Sequence, residues 1–198
     1  MRILLICIEK IIKKKKYKPQ LENSIMILSD VDIKKMLKQG KMKIAPLAEE
    51  QINGASVDLT LSDEWYFFKN EYVTGSGTVD LDKIGFEKAI DMIKSKTIDL
   101  MPGQMCLGKT IEKITLPPDV IGTLEGRSRY ARMGLAVHIT SALVQPGSDN
   151  HQVLEIVNFA PFRIRLHTGM RISQVVFERI ETPTSKPYAT FGKIARKQ

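Results

Sequence analysis

The stretch 101-MPGQMCLGKTIEKITLPPDVIGTLEGRS-128 decides the fold class of this chain. It holds short runs rich in Ile, Leu, Val and Thr, and the same kind of run continues toward the C-terminus. Turn signals separate these runs, at Pro102-Gly103, Pro118-Asp119, Pro146-Gly147 and Thr168-Gly169. Short apolar runs between such turns are typical of β-strands. The sequence therefore predicts a mainly β fold, either a barrel or a sandwich.

Upstream of this region, the sequence predicts one short helix. Ser29 is a favourable N-cap, and Asp32 stands three residues later. Apolar residues repeat at helical spacing over 33–37, and Gly40 follows as a stop signal. We therefore expect a helix that begins after Ser29 and ends near Gly40.

The next stretch, 52-INGASVDLTL-61, predicts a turn that leads into a strand. Asn53-Gly54 is a turn signal, and apolar residues then alternate with Asp58 and Thr60. This alternation indicates a half-buried strand, which the following WYFFKN run extends. Residues 70–100 are predicted to form a loop-like excursion that contains a helix near 82–95.

Length and composition favour a single domain with an ordinary core. The chain has 198 residues, of which 43% are hydrophobic and 26% are charged. No apolar run approaches the roughly 20 residues that a membrane-spanning helix needs. Cys7 and Cys106 are far apart and fit neither a disulfide framework nor a Cys-rich metal motif. These features predict a cytoplasmic protein outside the membrane.

The net charge of +8 is concentrated at the N-terminus. Residues 1–25 carry seven Lys or Arg and two Glu, so this tail contributes +5 and the remaining chain only +3. The tail is predicted to be disordered, or to result from a mis-called start with Met26 as the natural beginning. Weak attraction of the tail to an anionic surface is the alternative. A groove for a polynucleotide is not implied.

The segment 125-EGRSRYARMG-134 is a candidate phosphate-binding loop. It places three arginines and a serine close to Gly126, and guanidinium groups bind phosphate oxygens two bonds at a time. A glycine also lets backbone N–H groups approach an anion. The alternative is a solvated turn, which local sequence supports about equally. The chain has neither a P-loop nor a dinucleotide-binding fingerprint.

A second candidate is Glu155, which stands in the apolar run 152-QVLEIVNF-159. Side chains alternate along a strand, so Glu155 shares a face with Val153, Val157 and Phe159. Burial there would raise the pKa of its carboxyl group and suit it to proton transfer. The alternatives are a glutamate on an exposed face, or a buried one neutralised by an arginine.

Zinc chemistry has no support in the sequence. The three histidines lie in different segments, and the zinc deaminase signature with its His-x-Glu and Pro-Cys-x-x-Cys elements is absent. No Gly-x-Ser-x-Gly motif of a serine hydrolase is present either. A carboxylate-driven reaction on a phosphorylated substrate, without zinc, is the reading that remains.

Four motifs together resemble the deoxycytidine triphosphate (dCTP) deaminases, relatives of the trimeric dUTPases. The resemblance covers about residues 26–198, and it implies one domain with a C-terminal lid from about residue 187. It also implies a distorted dUTPase-like, jelly-roll-like β-barrel in a homotrimer that shares active sites between subunits. The motifs are INGASVDLTL, LPPDVIGTLEGRSRYARMGLAVHIT, QPGSDNHQVLEIVNF and GMRISQVVFERI.

The resemblance assigns the chemistry to Glu155, with Ser128 and Arg132 holding the water or orienting the glutamate. Glu155 would activate water for attack on C4 of cytosine, protonate N3 and assist the departure of ammonia. Mg²⁺ would bind through the nucleotide triphosphate rather than through a protein cage. The residues implied in substrate binding are Gly126, Arg127, Ser128, Arg129, Arg132, Ser141, Gln145, Val153, Leu154, Glu155, Gln174, Tyr188, Lys193 and Gln198.

Gln145 is the main departure from the family pattern. An aspartate near the deoxyribose is common at this position, and in dUTPases that acid orients the water that attacks phosphorus. A neutral amide cannot act as this base. We therefore expect hydrolytic deamination of dCTP to dUTP and ammonia, in the supply of dUMP and dTTP. The alternatives are a dUTP diphosphatase and a nucleotide-binding sensor with impaired turnover.

Overall fold

The structure is a computed structural model that describes residues 26–73, 75 and 78–192. The predictions for the tail 1–25, for Lys193 and for Gln198 lie outside these residues. The described residues form twelve strands. They are β1 (Met26–Ile27), β2 (Lys43–Ala45), β3 (Val57–Phe68), β4 (Ile90–Lys94), β5 (Thr97–Leu100), β6 (Met105–Thr115), β7 (Val120–Gly126), β8 (Leu135–Val137), β9 (Leu143–Val144), β10 (Asp149–Asn158), β11 (Ile164–His167) and β12 (Arg171–Arg179).

The helices are short and lie between the strands. They are α1 (Asp30–Lys38), α2 (Asn70–Val73), α3 (Phe86–Ala89), α4 (Ser128–Ala131) and α5 (Tyr188–Phe191), with a 3₁₀ turn at Glu49–Gln51. The predicted start of α1 is confirmed, because Ser29 and Asp32 form a reciprocal capping box. Gly40, with φ of +67°, follows its end. Across the described residues, no helix is long and apolar enough to cross a membrane.

Ten strands form one curled, half-barrel sheet, which confirms the predicted mainly β, barrel-like fold. The central order is β8-β10-β6-β3-β12-β7-β9, and β1, β2 and β4 pair at the sides of β12, β6 and β3. All neighbours in this sheet are antiparallel. The strands β5 and β11 form a separate two-stranded ribbon. Turns at Gly103, Gly147 and Gly169 have positive φ, as their turn signals suggest.

The core lies inside the curl of the sheet. Trp65 of β3 is fully buried there, and its indole N–H donates to the carbonyl of Ser95 at 2.9 Å. The prediction of a half-buried strand after residue 56 is wrong at one position. Asp58 is 3% exposed, and its burial is compensated because Asn53 and Arg127 contact its two carboxylate oxygens.

The excursion between β3 and β5 differs from its prediction. A helix was expected near 82–95, but the structure has only the four-residue α3, followed by β4. β4 pairs along the end of β3, where Trp65 faces Ile93. Hydrogen bonding to an existing strand therefore outweighs a weak helical periodicity. The excursion returns to the sheet and carries Phe86 with it.

Candidate active site

Glu155 lies near the middle of β10, on the face of this strand that lines an open cavity. Alternate residues of β10 point in opposite directions, and the deeply buried face carries Leu154 and Ile156. Glu155 and Val153 are half-buried on the other face. Phe159, which was expected beside them, is 67% exposed just beyond the strand. The carboxylate therefore has access to solvent through the cavity and is not sealed among aliphatic side chains.

The cavity has a volume of about 410 Å³, which suits a small molecule. Apolar side chains form part of its wall, and amide, hydroxyl and imidazole groups form the rest. Five predicted residues meet here: Ser141, Gln145, Val153, Glu155 and Tyr188. The other lining residues are Phe86, Leu107, Leu124, His138, Leu143, Asn150 and Gln152.

Thr140 holds both oxygens of the Glu155 carboxylate. Its hydroxyl lies 2.5 Å from Oε1 and 2.6 Å from Oε2, and its backbone N–H donates to Oε2 at 3.0 Å. Partial burial acts to raise the pKa of Glu155, but the bonds from Thr140 act in the opposite direction and prevail. The pKa therefore lies below its ordinary value of 4.5. The prediction of a raised pKa is wrong, because hydrogen bonds to the charged form outweigh desolvation.

His138 binds the backbone of Glu155 at two points. Its N–H donates to the carbonyl of Glu155 at 2.7 Å, and its ring Nδ1 accepts from the N–H of Glu155 at 3.3 Å. The proton of a neutral imidazole is then on Nε2, which donates to the carbonyl of Ser141 at 2.6 Å. His138 also has φ of +59°, a strained conformation for a residue with a side chain. The segment 138–141 is thus fixed around Glu155.

The arginine loop, residues 126–132, lies at the end of β7 and includes α4. Ser128, Arg129 and Arg132 are exposed, and the guanidinium group of Arg129 stacks over the ring of Tyr130 at 5.7 Å. Arg127 is partly buried. Within the described residues, the cavity wall contains none of the residues of this loop. In one chain the carboxylate therefore lines the cavity, whereas the arginines lie outside its wall.

Two further predicted residues are not on the cavity wall. The side chain of Leu154 is fully buried in the core, because strand alternation turns it away from Glu155. Gln174 lies on β12 beside the arginine loop. Its side-chain oxygen accepts from the hydroxyl of Ser56 at 2.8 Å, and its side-chain NH₂ donates to the backbone carbonyl of Gly126 at 3.4 Å. Gln174 thus contacts the loop rather than the cavity.

The C-terminal segment reaches the cavity through main-chain contacts. The N–H of Tyr188 donates to the carbonyl of Pro146, and the N–H of Ala189 donates to that of Gly147, both at 3.0 Å. A Cβ on Gly147 would lie 2.5 Å from Cβ of Pro187, so only glycine fits this turn without displacement. These contacts bring Tyr188 to the wall beside Gln145.

Comparison with known proteins places the chain in a family. The family model described as dCTP deaminase-like matches residues 27–180. The chain belongs to the dCTP deaminase-like family. It is 37% identical over 166 residues to a "dCTP deaminase, dUMP-forming" from Methanosphaera stadtmanae, covering 82% of this chain and 83% of that relative. It is 38% identical over 174 residues to a "dCTP deaminase" from Rhodospirillum rubrum, covering 83% and 88%.

A solved structure supports the fold of this dCTP deaminase-like chain. The crystal structure of 2'-deoxycytidine 5'-triphosphate deaminase from Agrobacterium tumefaciens matches with a TM-score of 0.61 and 24% sequence identity. The match covers 78% of this chain but only 48% of the Agrobacterium chain, so this chain spans about half the length of that protein. At this identity the likeness concerns the fold alone.

Sequence reasoning missed several residues of the site in this dCTP deaminase-like chain. Thr140 and His138 stand in the segment HIT at the end of the second motif, where the resemblance implies no role for either side chain. A hydroxyl residue two positions after a histidine carries no signal of its own. Phe86 was missed because the excursion gave no clear periodicity. Its 57% exposure at the mouth of a cavity is visible only in the fold.

Proposed function

We propose that this protein catalyses the hydrolytic deamination of dCTP to dUTP and ammonia in the cytoplasm, with Glu155 as general acid and base and without zinc. One observation carries the proposal. In a chain 38% identical to a protein named dCTP deaminase, the glutamate in the matching motif lies on a cavity wall, with both carboxylate oxygens held by Thr140. A fixed, ionised carboxylate in a small cavity is suited to proton transfer.

Glu155 would transfer protons at two points of the reaction. Glu155 takes a proton from water, and the hydroxide formed attacks C4 of cytosine. Glu155 then delivers that proton to N3, which gives a tetrahedral intermediate with both OH and NH₂ on C4. A proton from the hydroxyl group moves through Glu155 to the amino group, and ammonia leaves as the C4 carbonyl forms. Each carboxylate oxygen has two lone pairs, so bonding to Thr140 leaves room to accept the proton.

The cavity chemistry supports a pyrimidine as the ligand. Leu143 and Val153 offer apolar contact to a flat ring, and the amide of Gln152 and the hydroxyl of Ser141 offer polar contact at its edge. A mixture of apolar walls and a few polar groups is typical of small-molecule sites. A base held in this way would have C4 within reach of Glu155.

A shared site in a homotrimer is part of the proposal. The described cavity wall carries no lysine or arginine, whereas Ser128, Arg129 and Arg132 are exposed on the arginine loop outside this wall. A triphosphate needs cationic partners because it carries several negative charges. The loop of one subunit would supply them to the cavity of its neighbour, and Ser128 and Arg132 would act there. This explains why one chain separates the two halves of the site.

We further propose that Mg²⁺ accompanies the triphosphate. In the part of the chain that the structure describes, no group of three or more His, Cys, Asp or Glu side chains is arranged to hold a metal ion. The donor set therefore does not form a protein cage, and phosphate oxygens and water are the hard donors that Mg²⁺ prefers. The bound ion would neutralise phosphate charge. Lys193 and Gln198 are proposed to cover the triphosphate with the lid that begins near residue 187.

The product is proposed to be dUTP because of Gln145. Hydrolysis at phosphorus needs a base to orient the attacking water, and the amide of Gln145 cannot accept a proton at neutral pH. The specific rival is formation of dUMP, since the Methanosphaera relative is named dUMP-forming. With dCTP as substrate, ammonia without pyrophosphate supports dUTP as the product. Equal amounts of both would support the rival.

The central test is Glu155→Gln, which keeps the shape of the side chain and removes its base. Ammonia release from Mg²⁺–dCTP should fall by about 10²–10⁴, while dCTP affinity stays within roughly tenfold. The assay contains a zinc-selective chelator, and the exposed Glu181→Gln serves as the matched control. Full activity of Glu155→Gln would refute the assignment, and loss of wild-type activity in the chelator would refute the zinc-free reaction. Tight dCTP binding without any wild-type turnover would favour a sensor.

Subunit mixing tests the shared site. Glu155→Gln and Arg132→Ala should each be inactive alone. In mixed trimers, a cavity with an intact glutamate can meet a neighbouring loop with an intact arginine, so random mixing at equal amounts restores about a quarter of the sites. Activity of the mixture that stays at the level of the separate variants would show that each site belongs to one subunit.

A further inference from the structure

The motif INGASVDLTL contributes no residue to the cavity wall, yet it contains a buried carboxylate. Asp58 is 3% exposed and lies on β3, directly opposite Gln174 of β12. Burial of a carboxylate is costly unless partners compensate its charge. The position of Asp58 therefore depends on what its two oxygens contact.

Each oxygen of Asp58 has a partner from a different segment. The side-chain amide of Asn53 donates to Oδ1 at 3.0 Å, and Nη2 of Arg127 lies 3.1 Å from Oδ2. The backbone carbonyl of Asp58 accepts from the amide of Gln51 at 2.9 Å. The motif thus contains a carboxylate that is itself fixed and that contacts Arg127, the first arginine of the arginine loop.

Arg127 is held at a second point. Its Nη1 donates to the backbone carbonyl of Arg171 at 3.0 Å, and its side chain remains 32% exposed. A guanidinium group has five N–H donors in one plane, so these two contacts fix the plane and leave further donors for a ligand. Arg127 differs in this respect from Arg129 and Arg132, whose side chains are exposed.

We propose that Asp58 is a positioning residue for phosphate binding: it presets the guanidinium plane of Arg127 so that the open edge receives a phosphate of the substrate. This inference rests on the proposed function in one respect, that the arginine loop binds the triphosphate. Fixing a long side chain before binding spares the entropy that binding would otherwise cost. Asn53 contributes indirectly, because its hydrogen bond to Oδ1 of Asp58 helps to fix this carboxylate.

The sign of the effect separates this role from two others. Removing the negative charge of Asp58 makes the loop more positive, so simple electrostatics predicts tighter anion binding. A purely structural ion pair predicts a lower melting temperature with unchanged affinity in the folded protein. Positioning predicts weaker anion binding at unchanged kcat, and the loss must require Arg127.

The experiment measures binding of inorganic tripolyphosphate to the full-length protein by calorimetry, and KM and kcat for dCTP. In Asp58→Asn we expect about tenfold weaker tripolyphosphate binding and a similarly raised KM, with kcat within about twofold. Asp63→Asn is the matched control, because Asp63 is exposed on the same strand. In an Arg127→Ala background, Asp58→Asn should produce no further loss.

Asn53→Ala keeps the test decisive if Asp58→Asn does not fold, since Asn53 is exposed and its change leaves the ion pair in place. A smaller loss in the same direction, about twofold to threefold, is expected. Unchanged or tighter tripolyphosphate binding in both variants, additive losses with Arg127→Ala, or no wild-type binding of tripolyphosphate would each overturn the inference. Tripolyphosphate contains no cytosine, so its binding does not depend on deamination. If Asp58→Asn weakens this binding only when Arg127 is present, but the wild-type protein does not deaminate dCTP, only the proposed function is refuted.

Discussion

Replacing Thr140 by valine tests what holds the Glu155 carboxylate ionised. Valine keeps the shape of threonine but lacks the hydroxyl, so the contacts at 2.5 and 2.6 Å are lost while the backbone N–H stays at 3.0 Å. A hydrogen bond to a charged group contributes about 1.5–3 kcal/mol, and one pKa unit corresponds to about 1.36 kcal/mol. Since water reaches Glu155, we take the lower end and expect its pKa to rise by about one unit.

The consequence for stability has a definite sign. The pKa of Glu155 in the folded protein lies below its ordinary value, so its ionisation stabilises the fold above the unfolded-state pKa. This contribution is lost as the pH falls through the folded-state pKa. In Thr140→Val this stabilisation should be smaller than in the wild type at every pH above about 5. At pH values below both pKa values, the two proteins should not differ in this contribution.

The assay is a ¹³C NMR titration of the Glu155 carboxyl carbon, combined with chemical denaturation at several pH values. The acid limb of kcat/KM should move upward with the NMR pKa if Glu155 is the base. Thr168→Val is the matched control, because its hydroxyl donates to backbone carbonyls far from the cavity. An unchanged or lower pKa in Thr140→Val would refute the view that this hydroxyl outweighs desolvation.

Two other substitutions test the walls of the cavity. Gly147→Ala adds a Cβ 2.5 Å from Pro187 at φ of +75°, so we expect the C-terminal segment to detach, with faster proteolysis there and a several-fold higher KM for dCTP; an intact segment at wild-type KM would contradict this. Phe86→Ala removes an aromatic group from the cavity mouth, so KM should rise about tenfold with little change in kcat, as for loss of a base–aromatic contact. Leu81→Ala, 83% exposed in the same excursion, is its control, and equal KM values in the two variants would exclude a contact between Phe86 and the substrate.

The parts of the fold that depend on local chemistry were predictable from the sequence. The cap at Ser29 uses contacts within a few residues, and the turn at Gly147 is closed locally by a bond from the N–H of Ser148 to the carbonyl of Gln145; both formed as expected. The excursion failed for the opposite reason. Its strand β4 forms because β3 offers free hydrogen-bonding groups, which a reading of local periodicity cannot include.

The candidate site shows the same division. Glu155 was identified by its motif, but its pKa was mispredicted because Thr140 is 15 residues away in the sequence. Alternation puts Glu155 and Leu154 on opposite faces of β10, and Leu154 lies on the buried face, although the resemblance had implied a ligand contact there. Asp58 broke the expected pattern because its partner Arg127 comes from a distant loop, which a reading of local alternation cannot include.

The attachment of the C-terminal segment has an evolutionary consequence. Two hydrogen bonds that dock residues 188 and 189 use backbone N–H groups and backbone carbonyl acceptors. Any residue except proline can donate such a bond, so these two bonds do not depend on which side chain stands at position 188. Selection can therefore exchange the side chain that lines the cavity at this position, and so retune ligand preference, while both backbone bonds are kept.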